Sequence, residues 1–92
     1  MSLVTILVED NPAIRESLLA AMDELTDLEV VATAETATQA ACAFDAYSQN
    51  WDLAVVDLFL KQGSGLTVLK NCRERAPHRH VLVLTNYPTP EI

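Results

Sequence analysis

The sequence predicts an α/β fold, an open, doubly wound parallel sheet with helices on both faces. Four short apolar stretches rich in β-branched residues, at 4–9, 28–33, 52–58 and 80–85, have the composition of buried strands. Amphipathic stretches separate them, which gives the order β-α-β-α-β-α-β. Strands that are apolar on both faces and alternate with helices are typical of a parallel sheet covered on both sides.

The length and composition indicate one globular domain over residues 1–92. Half of the 92 residues are hydrophobic, which is enough for a packed core. No apolar run is as long as a membrane span, and the start, MSLVTILVED, lacks the basic region and cleavage site of a signal peptide. We therefore expect a cytoplasmic protein that does not associate with membranes. Cys42 and Cys72 form no CxxC motif, and we expect buried, reduced thiols.

The net charge of −7 is unevenly distributed along the chain. The first 60 residues contain eleven acidic side chains and one basic side chain, Arg15. So acidic a segment argues against nucleic-acid binding by this chain. Four basic residues in and after the third predicted helix are most simply interpreted as a solvated helix face rather than a phosphate-binding patch: Lys70, Arg73, Arg75 and Arg79.

The first two predicted helices have clear start signals. Asn11 is a good N-cap, and Pro12 stands at the first helical position. Thr36 and Gln39 have the spacing of a capping box for a helix that continues to about Tyr47. Helical spacing predicts apolar faces at Ile14, Leu18, Met22 and Leu25 in the first helix and at Leu66, Leu69 and Cys72 in the third.

Polar side chains gather where the predicted strands end. Glu9 and Asp10 follow the first strand. Asp57 ends the third strand, and Thr85 ends the fourth. Ligands of an open parallel sheet bind beyond the carboxyl ends of the strands, where the strand order reverses. If the first and third strands are neighbours there, three carboxylates converge, and a divalent cation such as Mg²⁺ is the simplest compensation for their repulsion.

These motifs together resemble the receiver domain of two-component response regulators. The resemblance rests on the acidic pair after the first strand, on the lone Asp57 followed by GSGL, and on LTNY at the end of the fourth strand. It runs over the whole chain in order. It implies a flavodoxin-like (CheY-like) sheet with strand order 2-1-3-4. It also implies a phosphoacceptor domain in a phosphorelay rather than an enzyme.

The resemblance implies a role for each residue near the strand ends. Asp57 matches the phosphoacceptor, which takes a phosphoryl group from a sensor histidine kinase or a phosphotransfer protein and also binds Mg²⁺. Asp10 matches the main metal ligand, and Glu9 matches its partner, which binds directly or through water. The backbone carbonyl of Phe59 matches a further metal ligand. Thr85 matches the switch hydroxyl that turns toward the phosphoryl group.

The chain also departs from the family pattern. The family has a lysine and a switch aromatic on a fifth strand, but Lys61 and Lys70, the two lysines of this chain, both come long before that position. Lys61 stands where the family often has a proline, four residues after Asp57. We therefore expect a receiver domain that is C-terminally incomplete, with its fifth strand and last helix missing.

An alternative function remains open for such a chain. In the strand order 2-1-3-4 the fourth strand is an edge, and its VLVL run is unusually apolar for an edge. A partner or a second copy of the chain can add a strand there, which would give a non-switching interaction module and a possible homodimer. Metal-dependent phosphorylation distinguishes this module from a phosphoacceptor.

Two enzyme classes on similar folds fit the sequence less well. A haloacid-dehalogenase-type phosphatase needs a second aspartate two residues after the first, where this chain has Phe59. A flavodoxin-type or dinucleotide-binding module needs a phosphate-binding loop after the first strand. The segment EDNPAI contains no glycine and two acidic groups, which repel phosphate in the absence of a metal.

Overall fold

Strands and helices alternate in the computed structural model, which describes residues 3–25, 27–47, 50–57, 60, 65–71 and 79–84. The strands are β1 (Leu3–Val8), β2 (Leu28–Ala34), β3 (Leu53–Asp57) and β4 (His80–Leu84), and the helices are α1 (Pro12–Asp23), α2 (Ala37–Ala46) and α3 (Gly65–Asn71). The predicted order is confirmed, and each strand boundary lies within one residue of its expected position. Within these ranges, no helix has the length and apolar character needed to cross a membrane.

The four strands form one parallel sheet in the order β2-β1-β3-β4. β1 pairs with β2 on one side and with β3 on the other. Val8 of β1 is matched with Val56 of β3, and Asp57 of β3 is matched with Leu84 of β4. The predicted order 2-1-3-4 is thus confirmed. It sets the carboxyl ends of β1 and β3 side by side where the strand order reverses.

α1 begins at the predicted cap. The Asn11 side chain accepts hydrogen bonds from the amides of Ala13 (3.0 Å) and Ile14 (3.2 Å), and Pro12 is the first helical residue. These bonds satisfy two N–H groups that have no carbonyl partner within the helix. The cap fixes the direction in which the chain leaves β1, directly after the acidic pair.

α2 begins with a variant of the predicted capping box. The Thr36 hydroxyl accepts a hydrogen bond from the Gln39 amide (3.1 Å), as the box requires. The Gln39 side chain, however, accepts from the amide of Glu35 (2.8 Å), one residue earlier than the box predicts. The backbone of Glu35 is therefore held against the first turn of α2.

Two apolar clusters fill the two faces of the sheet. The larger one lies against α2 and α3 and consists of Ile6, Val8, Ala34, Ala40, Trp51, Ala54, Val56 and Val68. The smaller one lies against α1 and consists of Leu7, Met22 and Val55. Successive side chains of β1 and β3 enter the two clusters in alternation, because neighbouring residues of a strand point to opposite faces. Both central strands are therefore buried on both sides.

Trp51 closes the larger cluster where β3 begins, at the end of the sheet opposite the acidic residues. Its side chain is buried, and its ring packs edge-to-face on Phe44 with the ring centroids 5.2 Å apart. The guanidinium of Arg79 lies 5.4 Å from the centroid of the Trp51 ring. These contacts exclude water from this end of the core.

Two predictions about apolar helix faces were wrong. Leu66 is 60% exposed, because Val68 is the side chain of α3 that enters the core. Leu25 is 55% exposed, because α1 ends at Asp23 and the helical spacing no longer applies beyond it. The side chains of Leu69 and Cys72 lie outside the described part of the chain.

The prediction of a buried thiol at Cys42 was also wrong, since Cys42 is a free and exposed cysteine. Ala40 is the fully buried residue of α2. Two residues further along a helix, a side chain points to nearly the opposite side. Cys42 therefore lies on the solvent face of α2.

β4 exposes apolar side chains, as its sequence and edge position predicted. Leu82 is 54% exposed and Val83 is 39% exposed. β4 is an edge of the sheet formed by the described strands.

Replacing Ile6 by alanine should lower the free energy of unfolding by about 2–5 kcal/mol, because Ile6 is fully buried and its truncation leaves a cavity. Urea-induced unfolding followed by circular dichroism measures the loss. Leu25→Ala is the matched control, since its exposed side chain should contribute less than about 0.5 kcal/mol. Equal losses of unfolding free energy in the two variants would contradict the placement of Ile6 in the core.

Candidate functional site

The register of the central strands brings three predicted site residues together. Val8 of β1 is matched with Val56 of β3, so the residues that follow, Glu9 and Asp57, stand side by side at the carboxyl edge. Asp10 comes next, before the cap of α1. One carboxylate oxygen from each of the three residues lies within 4.8 Å of the others. We call Glu9, Asp10 and Asp57 the acidic cluster.

The two other predicted site residues, Phe59 and Thr85, lie outside the described residues. Leu84, which precedes Thr85 in the sequence, is matched with Asp57 in the sheet. The carbonyl ligand at Phe59 and the switch hydroxyl at Thr85 stay predictions.

The acidic cluster is largely shielded from water. Glu9 is fully buried, Asp57 is 2% exposed, and Asp10 is partly exposed. The Asn11 amide donates a hydrogen bond to Oε2 of Glu9 (3.1 Å). The other oxygen, Oε1, is buried and has no hydrogen-bond partner within the described ranges. When Glu9 is ionised, a buried carboxylate oxygen without a donor costs free energy. Either a proton shared with the carboxyl groups of Asp57 and Asp10 or a bound cation would remove that cost.

Burial raises the pKa of Glu9 to about 7. The neighbouring carboxyl group of Asp57 adds to the rise, while the hydrogen bond from the Asn11 amide opposes it. Near neutral pH, Glu9 is therefore partly protonated when no cation is bound. Because a cation favours the ionised carboxylate, its binding should release protons from the cluster.

The acidic cluster offers the ligands that a hard divalent cation prefers. Mg²⁺ binds oxygen atoms at 2.0–2.1 Å in an octahedron, so adjacent ligands of one ion are about 2.9 Å apart and opposite ligands about 4.2 Å. The three carboxylate oxygens lie within 4.8 Å of one another, so their side chains would move closer together to share one ion. Glu9, Asp10 and Asp57 are the residues that would hold the ion. Coordination would stabilise Oε1 of Glu9 most, because this oxygen is buried and has no hydrogen-bond donor among the described residues.

Arg15 also contacts this site, which the sequence did not lead us to predict. From the first turn of α1, its Nη1 donates to the backbone carbonyl of Glu9 (3.2 Å) and forms an ion pair with Oε1 of Glu35 (2.9 Å). The sequence did contain a signal that Arg15 contacts acidic groups, because Arg15 is the sole basic residue among the first 60. It also follows the cap residue Asn11 by one helical turn.

A family comparison agrees with this site. Residues 5–92 match the response regulator receiver domain. The chain belongs to this family. The receiver domain is 29% identical over 85 residues to DevR/DosR, a DNA-binding transcriptional activator of Mycobacterium tuberculosis. That alignment covers 92% of the chain but 38% of the activator, so the chain spans well under half of this relative.

Solved structures show the same fold. The signal receiver domain of the response regulator NarL from Mycobacterium tuberculosis superposes with a TM-score of 0.80 at 21% identity, over 97% of this chain and 70% of that one. The response regulator domain of CheB from Thermotoga maritima superposes with a TM-score of 0.73 at 23% identity, over 90% of this chain and 61% of that one. The predicted CheY-like architecture is confirmed.

The raised pKa of Glu9 should make the stability of the metal-free receiver domain depend on pH. Below pH 4.5 Glu9 is protonated in both the folded and the unfolded chain, and its contribution to stability is fully present. Between pH 4.5 and about 7 the unfolded chain releases this proton while the folded chain keeps it. The free energy of unfolding should therefore fall as the pH rises, by on the order of 3 kcal/mol in total.

Urea titrations in a chelator, at several pH values, measure this effect. Glu9→Gln should abolish it, because the amide does not titrate. The difference between wild type and variant isolates Glu9 from the other carboxyl groups. If that difference stays constant between pH 4.5 and 7, the raised pKa of Glu9 is refuted.

Proposed function

We propose that this receiver domain accepts a phosphoryl group on Asp57 from a sensor histidine kinase or a phosphotransfer protein, with Mg²⁺ held by Glu9, Asp10 and Asp57. The observation that carries the proposal is the convergence of three carboxylates within 4.8 Å at the edge where β1 and β3 end. Membership of the receiver family supports the same reaction. Burying an acidic cluster lowers the stability of a fold, and a purely structural module would gain nothing in return.

Asp57 is suited to act as the nucleophile. One of its carboxylate oxygens attacks the phosphorus of the phosphohistidine, and an O–P bond forms. The P–N bond to histidine breaks, and the histidine nitrogen keeps the electron pair, so the product is an acyl phosphate on Asp57. Because Asp57 ends a central strand that is hydrogen-bonded on both sides, its position is fixed before the donor arrives.

The charge of the cluster explains why the reaction needs a metal. An incoming phosphoryl group is negative, and three carboxylates repel it. Bound Mg²⁺ would neutralise the charge of the phosphoryl oxygens and of the carboxylates together. Glu9 and Asp10 would hold the ion beside Asp57, with the backbone carbonyl of Phe59 as the further proposed ligand.

Thr85 is the proposed switch residue. Its neighbour Leu84 is matched with Asp57 across β3 and β4, which supports a place for the Thr85 hydroxyl near the acceptor. A phosphoryl group adds negative charge and hydrogen-bond acceptors, and a hydroxyl that donates to it would shift position. This contact would couple phosphorylation to the surface around β4.

The domain acts as a cytoplasmic phosphoacceptor rather than as an enzyme that turns over a substrate. Its output depends on a larger context. DevR/DosR is a DNA-binding transcriptional activator, and this chain corresponds to 38% of its length. Control of transcription is therefore proposed only for a longer protein that contains this domain. The interaction-module alternative is not favoured, because the acidic cluster is intact.

Incubation with a small-molecule phosphodonor and Mg²⁺ should add one phosphoryl group to the wild-type protein. Intact mass spectrometry under mild conditions measures the gain. Asp57→Asn should gain nothing, because an amide is not a nucleophile for phosphorus. Asp45→Asn, which removes an exposed carboxylate from α2, is the matched control and should behave like wild type.

The metal requirement is tested in the same experiment. A sample in chelator, and an Asp10→Asn variant with Mg²⁺, should both lose phosphorylation by at least about tenfold. Equal phosphorylation of wild type and Asp57→Asn would exclude Asp57 as the acceptor. No gain by wild type under any condition would overturn the proposed function.

A further inference from the structure

We infer that Arg15 is a positioning residue for the acidic cluster. It ties the backbone at the end of β1 to Glu35 in the β2–α2 loop, and so fixes the place from which Glu9 and Asp10 present their carboxylates. The inference rests on the proposed function, because its consequence is a higher affinity of the cluster for Mg²⁺.

The contacts of Arg15 are made by a single nitrogen. Nη1 carries two hydrogens, which allows it to donate both to the Glu9 carbonyl (3.2 Å) and to Oε1 of Glu35 (2.9 Å). The Arg15 side chain is 19% exposed. The Glu35 side chain is 52% exposed, so this ion pair is screened by water and contributes little by itself. The part-buried, charge-assisted hydrogen bond to the Glu9 carbonyl is the stronger of the two contacts.

Both ends of this connection are anchored. The Arg15 amide donates to the Asn11 carbonyl (2.8 Å), which places the guanidinium on the capped first turn of α1. The Glu35 amide donates to the Gln39 side chain (2.8 Å), which holds Glu35 against the first turn of α2. Arg15 therefore links the beginnings of two helices across the end of β1.

The acidic cluster needs such a link because its members repel one another. Glu9 and Asp10 follow the last residue of β1, and the Glu9 amide donates to the Ala34 carbonyl of β2 (2.9 Å). The bond from Arg15 to the Glu9 carbonyl is therefore a second tie at the end of the ladder. Repulsion from Asp57 would displace them when no cation is bound. A bond to the Glu9 carbonyl resists that displacement. Partners hydrogen-bonded to the ligating groups themselves typically contribute 10–100-fold in metal affinity. Because Arg15 bonds the backbone of a ligand residue, we expect an effect at the lower end of that range.

The direction in which Mg²⁺ affinity changes when Arg15 is removed distinguishes a positioning role from simple electrostatics. Arg15 is a cation close to a cation site, so its charge alone opposes Mg²⁺ binding. If charge were its main influence, removing Arg15 would strengthen Mg²⁺ binding. Positioning predicts the opposite result.

Isothermal titration calorimetry with MgCl₂ measures the dissociation constant for wild type and variants. Arg15→Met keeps the length of the side chain but removes both contacts, and should weaken Mg²⁺ binding by about tenfold. Arg15→Lys keeps the charge and should restore part of the loss. Glu16→Gln, an exposed neighbour on α1, is the matched control and should change the constant by less than about twofold.

A double-mutant cycle tests the link to Glu35. Glu35→Gln should weaken Mg²⁺ binding in the wild-type background but have little effect in the Arg15→Met background, since the contact is already absent there. An equal effect of Glu35→Gln in both backgrounds would mean that Glu35 acts by its charge alone, and would overturn the proposed link.

Urea unfolding in chelator separates positioning from a merely structural role. A structural role would lower the unfolding midpoint of Arg15→Met and leave the Mg²⁺ dissociation constant unchanged, which overturns the inference. If Arg15→Met does not fold, Glu35→Gln, which should weaken Mg²⁺ binding in the wild-type background, carries the test. Unchanged or tighter binding by the variants, beside normal binding by wild type, refutes the positioning role alone. Failure of wild type to bind Mg²⁺ refutes this inference and the proposed metal site together.

Discussion

The fold holds three carboxyl groups close together at one edge of the sheet, where their ionised forms repel one another. Glu9 and Asp57 are almost completely buried, and Asp10 lies beside them. Two features of the surrounding chain lower the free-energy cost of burying these carboxyl groups. The Asn11 amide donates to one oxygen of Glu9, and burial lets Glu9 keep its proton to about pH 7. In the ionised form one oxygen of Glu9 is left without a donor among the described residues, and a cation bound there would stabilise that form.

The parallel sheet creates this convergence directly. Because β1 and β3 are neighbours and their last residues are matched, the side chains that follow must meet. Both strands are buried on both faces by apolar clusters, which prevents the strand ends from moving apart to relieve the repulsion. Apolar packing thus maintains an electrostatically unfavourable arrangement, as expected where a site has been shaped by function rather than by stability.

Much of the fold and of the acidic cluster was predictable from the sequence, because helix caps and apolar strand patterns are local sequence signals. Asn11 with Pro12 fixes a helix start within a few residues, and the apolar strands specify the sheet. The cluster follows from the strand ends once the strand order is known. Cys42 shows where local reasoning fails. α2 is rich in alanine, so its apolar periodicity is too weak to show which face is buried.

The contact between Arg15 and Glu35 was beyond prediction for a different reason. The two residues are separated by a whole strand, and they meet because α1 and the β2–α2 loop lie on either side of the end of β1. A long side chain near a helix start has several rotamers, and tertiary packing selects among them. The members of the acidic cluster follow from the strand ends, whereas the contact between Arg15 and Glu35 depends on tertiary packing.

We infer that the acidic cluster is incomplete without a divalent cation. The most direct measurement is the free energy of unfolding of the wild-type protein as MgCl₂ is raised at constant ionic strength and neutral pH. If Mg²⁺ binds the assembled cluster and not the unfolded chain, stability should rise with the logarithm of Mg²⁺ concentration above the dissociation constant, by about 2.7 kcal/mol at a hundredfold excess. A free energy of unfolding that does not change with Mg²⁺ would contradict the claim.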